Sequence, residues 1–203
     1  MSSQVAIITG AASGIGLALT RDLVSKGWKV TMADVNQQTG EQLASELGPS
    51  VIFHKTDVSD WDQLAALFKK TWTMWGQIDF YAANAGIDDR ESLYGATTLE
   101  GSDEPVKPDL ATIEVDFVSV IYSMRLAIHY FRKNAVKGGK IVVTSSSGGL
   151  YPVPFIPQYS ACKHGVRALD GFPKLVIAWG GFANIFGSPA RWPNTGNGSA
   201  AQD

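Results

Sequence analysis

Two residues late in the chain have the types and spacing to move a proton. Tyr159 and Lys163 stand four apart, so on a helix they share one face. An ammonium one turn from a phenol stabilises the phenolate, which suits the phenol to acid and base work. Three serines, Ser145, Ser146 and Ser147, lie upstream and could hold an oxygen on which negative charge develops. A second constellation stands near the N-terminus. Thr9-Gly10-Ala11-Ala12-Ser13-Gly14-Ile15-Gly16 follows an apolar run and opens a helical pattern. Glycines there allow a tight turn and let the backbone approach a pyrophosphate, which sits on free N–H groups at the helix N-terminus. Gly10, Ser13, Gly14, Ile15 and Gly16 are therefore candidate dinucleotide contacts. Hydride transfer from an alcohol needs a base for the hydroxyl proton and donors for the oxygen; the two constellations together could supply it.

Asp34 ends the second apolar run. A carboxylate there can accept hydrogen bonds from both hydroxyls of an adenosine ribose and repels a 2′-phosphate. No Arg or Lys follows at Val35-Asn36-Gln37, so the expected cofactor is NAD and not NADP.

The spacing TGxxxGxG resembles that of the short-chain dehydrogenase/reductase family. Asp57-Val58, Asn84-Ala85-Gly86 and Tyr159-Ser160-Ala161-Cys162-Lys163 are similar to that family's adenine-contacting Asp-Val, its NAG motif and its YxxxK signature. The resemblance covers residues 4–168, and the wording around 145–163 is similar to the NAD-dependent 15-hydroxyprostaglandin dehydrogenase branch. It implies that Asp57, Val58, Asn84, Ala85 and Gly86 line the cofactor, and that Lys163 also reaches the nicotinamide ribose. It places the substrate-holding serine thirteen residues before the tyrosine, which selects Ser146. It implies a homodimer or homotetramer built on the long helix and the YxxxK helix. One position departs from the pattern. Where the family carries an asparagine in a VNxxG-like context, this chain has Glu114-Val115-Asp116-Phe117-Val118-Ser119. Ionised aspartate accepts but cannot donate. Asp116 could pair with Lys163 and divert its charge from Tyr159, giving slower turnover; or a relay built on backbone atoms tolerates it.

These residues need elements to place them. Val5–Thr9 reads as a buried strand, and residues 14–26 as a helix stopped by Gly27. Residues 29–33, 51–54, 78–83 and 140–144 read as further strands. Asn36 caps a helix to Leu47 closed by Gly48-Pro49, and Ser59 with Asp62 resembles a capping box. The helix behind it carries Trp61, Leu64, Phe68, Trp72 and Trp75 on one stripe, read as core or interface. Residues 87–109 read as a long loop, 110–133 as a long helix, and another helix starts near Tyr159. Strand–helix alternation predicts a doubly wound parallel sheet of Rossmann type, α/β/α in three layers.

Bulk properties bound the rest. The chain has 203 residues, 45% of them hydrophobic and 18% charged, which suits one domain, placed at 1–186. A net charge of −2 argues against nucleic acid. Cys162 is the single cysteine, and His54, His129 and His164 are scattered, so no metal site is expected. No run reaches the roughly 20 apolar residues of a membrane span, and the expected location is cytoplasmic. The text changes after about Asp170. The family's sixth strand with its Pro-Gly turn, its further helices and its last strand are not recognisable, so the fold is expected to lack the usual last strand or strands. KLVIAW at 174–179 could serve as one strand; Pro173 stops the helix early, and 187–203 read as a disordered tail.

The expected function is NAD-dependent oxidation of a secondary alcohol, or reduction of the matching ketone. Asp116 and the unusual C-terminus motivate an alternative, a catalytically impaired nucleotide-binding paralogue or isoform.

Overall fold

The computed structural model describes residues 3–95, 103–169, 175–179 and 182–183. β1 (Val5–Thr9), β2 (Lys29–Asp34), β3 (Val51–Lys55), β4 (Phe80–Ala83), β5 (Lys140–Thr144), β6 (Leu175–Trp179) and β7 (Phe182–Ala183) form one sheet in the order β3-β2-β1-β4-β5-β6-β7. The pairings through β6 are parallel, and β7 joins antiparallel. The α/β expectation is therefore met, and part of KLVIAW forms the sixth strand. The boundary at 186, Pro173 and the tail at 187–203 lie outside the described residues.

Side-chain alternation along the strands divides the core into two layers. Ala6, Ile8, Val30 and Met32 face α1 (Gly14–Ser25) and α2 (Gln37–Leu47). Ile7, Tyr81, Ile141 and Val143 face α3 (Trp61–Trp75), α5 (Ser119–Phe131) and α6 (Pro157–Ala168), whose Leu64, Phe68, Met124 and Val166 complete that cluster. Each fully buried Val, Leu, Ile, Phe or Met among these contributes roughly 1.5–3 kcal/mol.

Three local details differ from the sequence reading. The α3 cap is Asp60, not Ser59: the Asp60 carboxylate accepts from the N–H groups of Asp62 and Gln63. The Ser59 hydroxyl donates instead to Asp57. β4 starts at Phe80 because the Asn134 side-chain amide takes both backbone groups of Ile78, replacing a strand partner. The long helix is interrupted: α4 (Ala111–Ile113) runs through a π turn (Glu114–Val118) into α5. Asp116 sits in that π turn, and such turns frequently mark functional sites.

The chain builds β1, β2 and β3 outward in one direction, then returns to place β4 on the other side of β1. Loops leaving β1 and β4 diverge at that switch point and open a crevice beyond the carboxyl ends of the strands.

Candidate active site

The crevice holds a cleft of about 650 Å³. At one end it is lined by Gly10, Ser13, Gly14 and Ile15, with Asp34, Asp57 and Val58 beside them. Asn84, Ala85 and Gly86 form the middle, and Asp116, Tyr159 and Lys163 the far end. Two of the expected residues do not line it, Gly16 and Ser146.

The glycine loop is shaped by close contact. Gly10 has φ +63°, and a Cβ there would lie 3.0 Å from the Ala85 Cα. Gly16 works one layer back: a Cβ on it would stand 2.2 Å from the Gly10 carbonyl oxygen, so its absence lets α1 pack on the loop. Gly14 lines the cleft with φ +51°, and a Cβ there would meet nothing within 4 Å. Ser13 is the N-cap of α1 but makes no side-chain cap bond. The first-turn N–H groups therefore face the cleft without a side-chain acceptor, as an anion site requires.

Asp34 is fixed by its neighbours. Its Oδ2 accepts from Ala12 N at 3.0 Å and its Oδ1 from Asn36 N at 3.0 Å. Asn84 staples three strands. Its Nδ2 donates to Thr9 O at 3.0 Å, its Oδ1 accepts from Thr144 Oγ1 at 3.0 Å, and its N–H donates to Thr9 Oγ1. Asp57 accepts both the N–H and the hydroxyl of Ser59.

At the far end, Lys163 is buried and its Nζ lies 5.2 Å from the centroid of the Tyr159 ring. The same Nζ donates to Thr144 O at 3.1 Å and sits 2.8 Å from Asp116 Oδ2. That last approach is oblique, so Oδ2 has no donor aligned on it. Asp116 Oδ1 accepts from Ile87 N at 2.8 Å. Burial pushes the Asp116 carboxyl above its usual range, and the Lys163 ammonium opposes this in part. The pairing of Lys163 with Asp116 raised from sequence is thus present.

The three serines separate cleanly. Ser145 is buried, with its hydroxyl on the Lys163 carbonyl. Ser147 is exposed and begins a 3-10 turn (Ser147–Gly149). Ser146 caps that turn, its Oγ accepting from Gly148 N at 3.1 Å. A Cβ on Gly148 would lie 3.3 Å from Tyr159 Cε1 and 3.5 Å from Ser146 Oγ, so the two side chains flank one glycine.

Sequence reading missed several participants. The Thr144 carbonyl holds Lys163, Asp88 and Arg90 line the cleft, and the Asp89 carboxylate accepts from the N–H groups of Gln158 and Tyr159. Asp89 carries no local signal, because its partners are some 70 residues away.

The chain is similar to known proteins over most of its length. A family model described as short chain dehydrogenase matches residues 4–171. The short-chain dehydrogenase/reductase prx6 of Penicillium rubens is 40% identical over 175 residues, 81% of this chain and 59% of its own length. Human 15-hydroxyprostaglandin dehydrogenase [NAD(+)] is 33% identical over 172 residues, 82% of this chain and 59% of its own. A crystal structure of a Burkholderia phymatum short-chain dehydrogenase/reductase in complex with NAD superposes with a TM-score of 0.73 at 27% identity, covering 88% of this chain and 64% of that one. The chain spans 59% of the length of each of these two curated relatives.

Proposed function

Since this chain belongs to the short-chain dehydrogenase/reductase family, we propose that it is an NAD-dependent oxidoreductase acting on the CH–OH group of a secondary alcohol or on the matching ketone. One observation carries this reading: Tyr159, Lys163 and the glycine loop line a single cleft. The loop residues fit a dinucleotide. The uncapped N–H groups of α1 suit its pyrophosphate, the open side of Gly14 leaves it room, and the fixed Asp34 carboxylate suits an unphosphorylated ribose. The crystal structure of the Burkholderia relative, described as a complex with NAD, supports the same choice.

Held in this cleft, NAD would supply the hydride acceptor for oxidation, and NADH the hydride donor for reduction. Tyr159 Oη takes the hydroxyl proton as the hydride leaves, and gives it back in the reverse direction. Ser146, whose Oγ accepts from the Gly148 N–H and keeps its own proton to donate, orients the substrate oxygen. Lys163 supplies positive charge behind the phenol.

Appearance of NADH absorbance with a panel of secondary alcohols, in wild type and Tyr159→Phe, tests the assignment. Wild-type turnover lost in the variant is expected; equal rates would sink it. A second reading, a nucleotide-binding protein with impaired turnover, is favoured by one observation, the carboxylate of Asp116 on Lys163. NAD binding by calorimetry without activity across alcohols and ketones would select it.

A further inference from the structure

We propose that Asp89 is a positioning residue for Tyr159, locking the wall of the cleft to the first turn of α6. The inference rests on reading Tyr159 as the acid and base. Helix α6 has no cap of its own: the N-cap residue, Ile156, brings no side-chain hydrogen bond, and Pro157 has no N–H to offer. The next two amides are both taken by one carboxylate. Gln158 N donates to Asp89 Oδ2 at 2.9 Å, and Tyr159 N donates to Asp89 Oδ1 at 2.7 Å. A negative group there also complements the positive end of the helix.

A serine or aspartate at position 156 would cap α6 equally well by itself. Capping from Asp89 does something more, because residues 87–91 are tied down on either side of it. Ile87 N donates to Asp116 Oδ1 at 2.8 Å, the Asp88 carbonyl accepts from Thr112 Oγ1 at 3.1 Å, and Glu91 Oε1 accepts from Asp109 N at 2.6 Å. The Gln158 side-chain amide closes the circuit on the Asp109 carbonyl at 2.9 Å. Ile87, Asp88 and Arg90 line the cleft beside Tyr159. The wall that meets the substrate and the turn that carries the phenol are therefore one hydrogen-bonded body. Asp89 fixes the phenol relative to the substrate without touching either.

The test compares Asp89→Ala and Asp89→Asn in the full 203-residue chain, loaded with NAD. In Asp89→Ala, kcat is expected to fall about tenfold with the KM for NAD unchanged. Amide hydrogen exchange at Gln158 and Tyr159 should accelerate by about tenfold, and that in α1 should not change. Asp89→Asn keeps an acceptor for one of the two amides and turns an NH2 toward the other, so it should recover part of both losses. An unchanged kcat in Asp89→Ala overturns the proposal. So does a rise in the KM for NAD that matches the fall in kcat, which marks general loosening, and so does an Asp89→Asn variant no better than Asp89→Ala. If the wild type turns over no alcohol or ketone, the oxidoreductase reading fails separately. Exchange then decides: acceleration confined to the two amides upholds the lock, and unchanged exchange overturns it.

Discussion

Lys163 Nζ lies 2.8 Å from Asp116 Oδ2, with side-chain exposures of 6% and 0%. The ammonium beside Tyr159 is thus shared with a carboxylate. Water cannot screen the pair, so the carboxylate withdraws much of the positive field from the phenol. A family asparagine at this place would accept from Ile87 N equally well and carry no charge.

Asp116→Asn is therefore expected to raise alcohol oxidation at neutral pH, by roughly tenfold. Its thermal stability should fall, since a buried ammonium stripped of its partner costs about 3–5 kcal/mol. Melting curves and steady-state rates read the two effects separately. A rate that drops with NAD affinity intact would mean that Asp116 helps Tyr159.

The same pair sets a pH dependence for ketone reduction. The Asp116 carboxyl is held above its usual range, chiefly by burial. Above that raised range it is ionised and occupies Lys163; as pH falls through it, the carboxyl protonates and releases Lys163. The rate ratio of Asp116→Asn to wild type should therefore be largest above that raised range and approach one below it. A ratio independent of pH would show that the charge on Asp116 does not reach the reaction.

Asp34 should decide between the two nicotinamide dinucleotides. Its carboxylate cannot turn away, because Ala12 N and Asn36 N hold one oxygen each. A 2′-phosphate brought to it meets a fixed like charge. Wild type is expected to favour NAD over NADP by roughly a hundredfold in kcat/KM, and Asp34→Ser with Val35→Arg should narrow or reverse that preference. Equal use of both by wild type would move the ribose away from Asp34.

Strand runs such as Val5–Thr9 and the four-residue spacing of Tyr159 and Lys163 were legible in the sequence because they are local and periodic. The Asp116–Lys163 contact was accessible too, since the charge change stands inside a recognisable pattern. The rest depended on contacts between distant segments. Nothing near Asp89 shows that it caps a helix some 70 residues on. Ser59 looked like a cap, but Asp60 beside it is the better acceptor and took the role. The extra residue in the π turn at Glu114–Val118 does not disturb apolar spacing enough to be seen.

Cys162 should be chemically silent while the chain is folded. It lies within the YxxxK segment, but burial, with the negative field of Asp116 next, pushes its thiol up to about 11. Little thiolate exists at neutral pH, and only the thiolate attacks. Iodoacetamide labelling followed by mass spectrometry should be slow in the native protein and fast in denaturant. Fast native labelling would show that α6 opens readily.

Gly16 and Gly14 should respond differently to the same added methyl group. In Gly16→Ala the new carbon meets the Gly10 carbonyl oxygen at 2.2 Å and Asn84 Nδ2 at 2.8 Å. The first contact is backbone, which cannot swing aside, so α1 must move off the loop and the Asn84 staple to Thr9 is strained. Overpacking of this kind costs about 1–3 kcal/mol or more, and it displaces the N–H groups of the anion site. Melting temperature and NAD affinity should fall together. In Gly14→Ala the carbon meets nothing within 4 Å, so the fold bears only the strain of φ +51°, roughly 1–2 kcal/mol. Gly14 does, however, line the cleft, so the methyl group is expected to take space the dinucleotide needs. Thermal melts of the NAD-free variants, set beside calorimetric NAD titrations, should therefore show a larger loss of affinity per degree of melting temperature for Gly14→Ala. The opposite order would mean that the dinucleotide does not pass over Gly14.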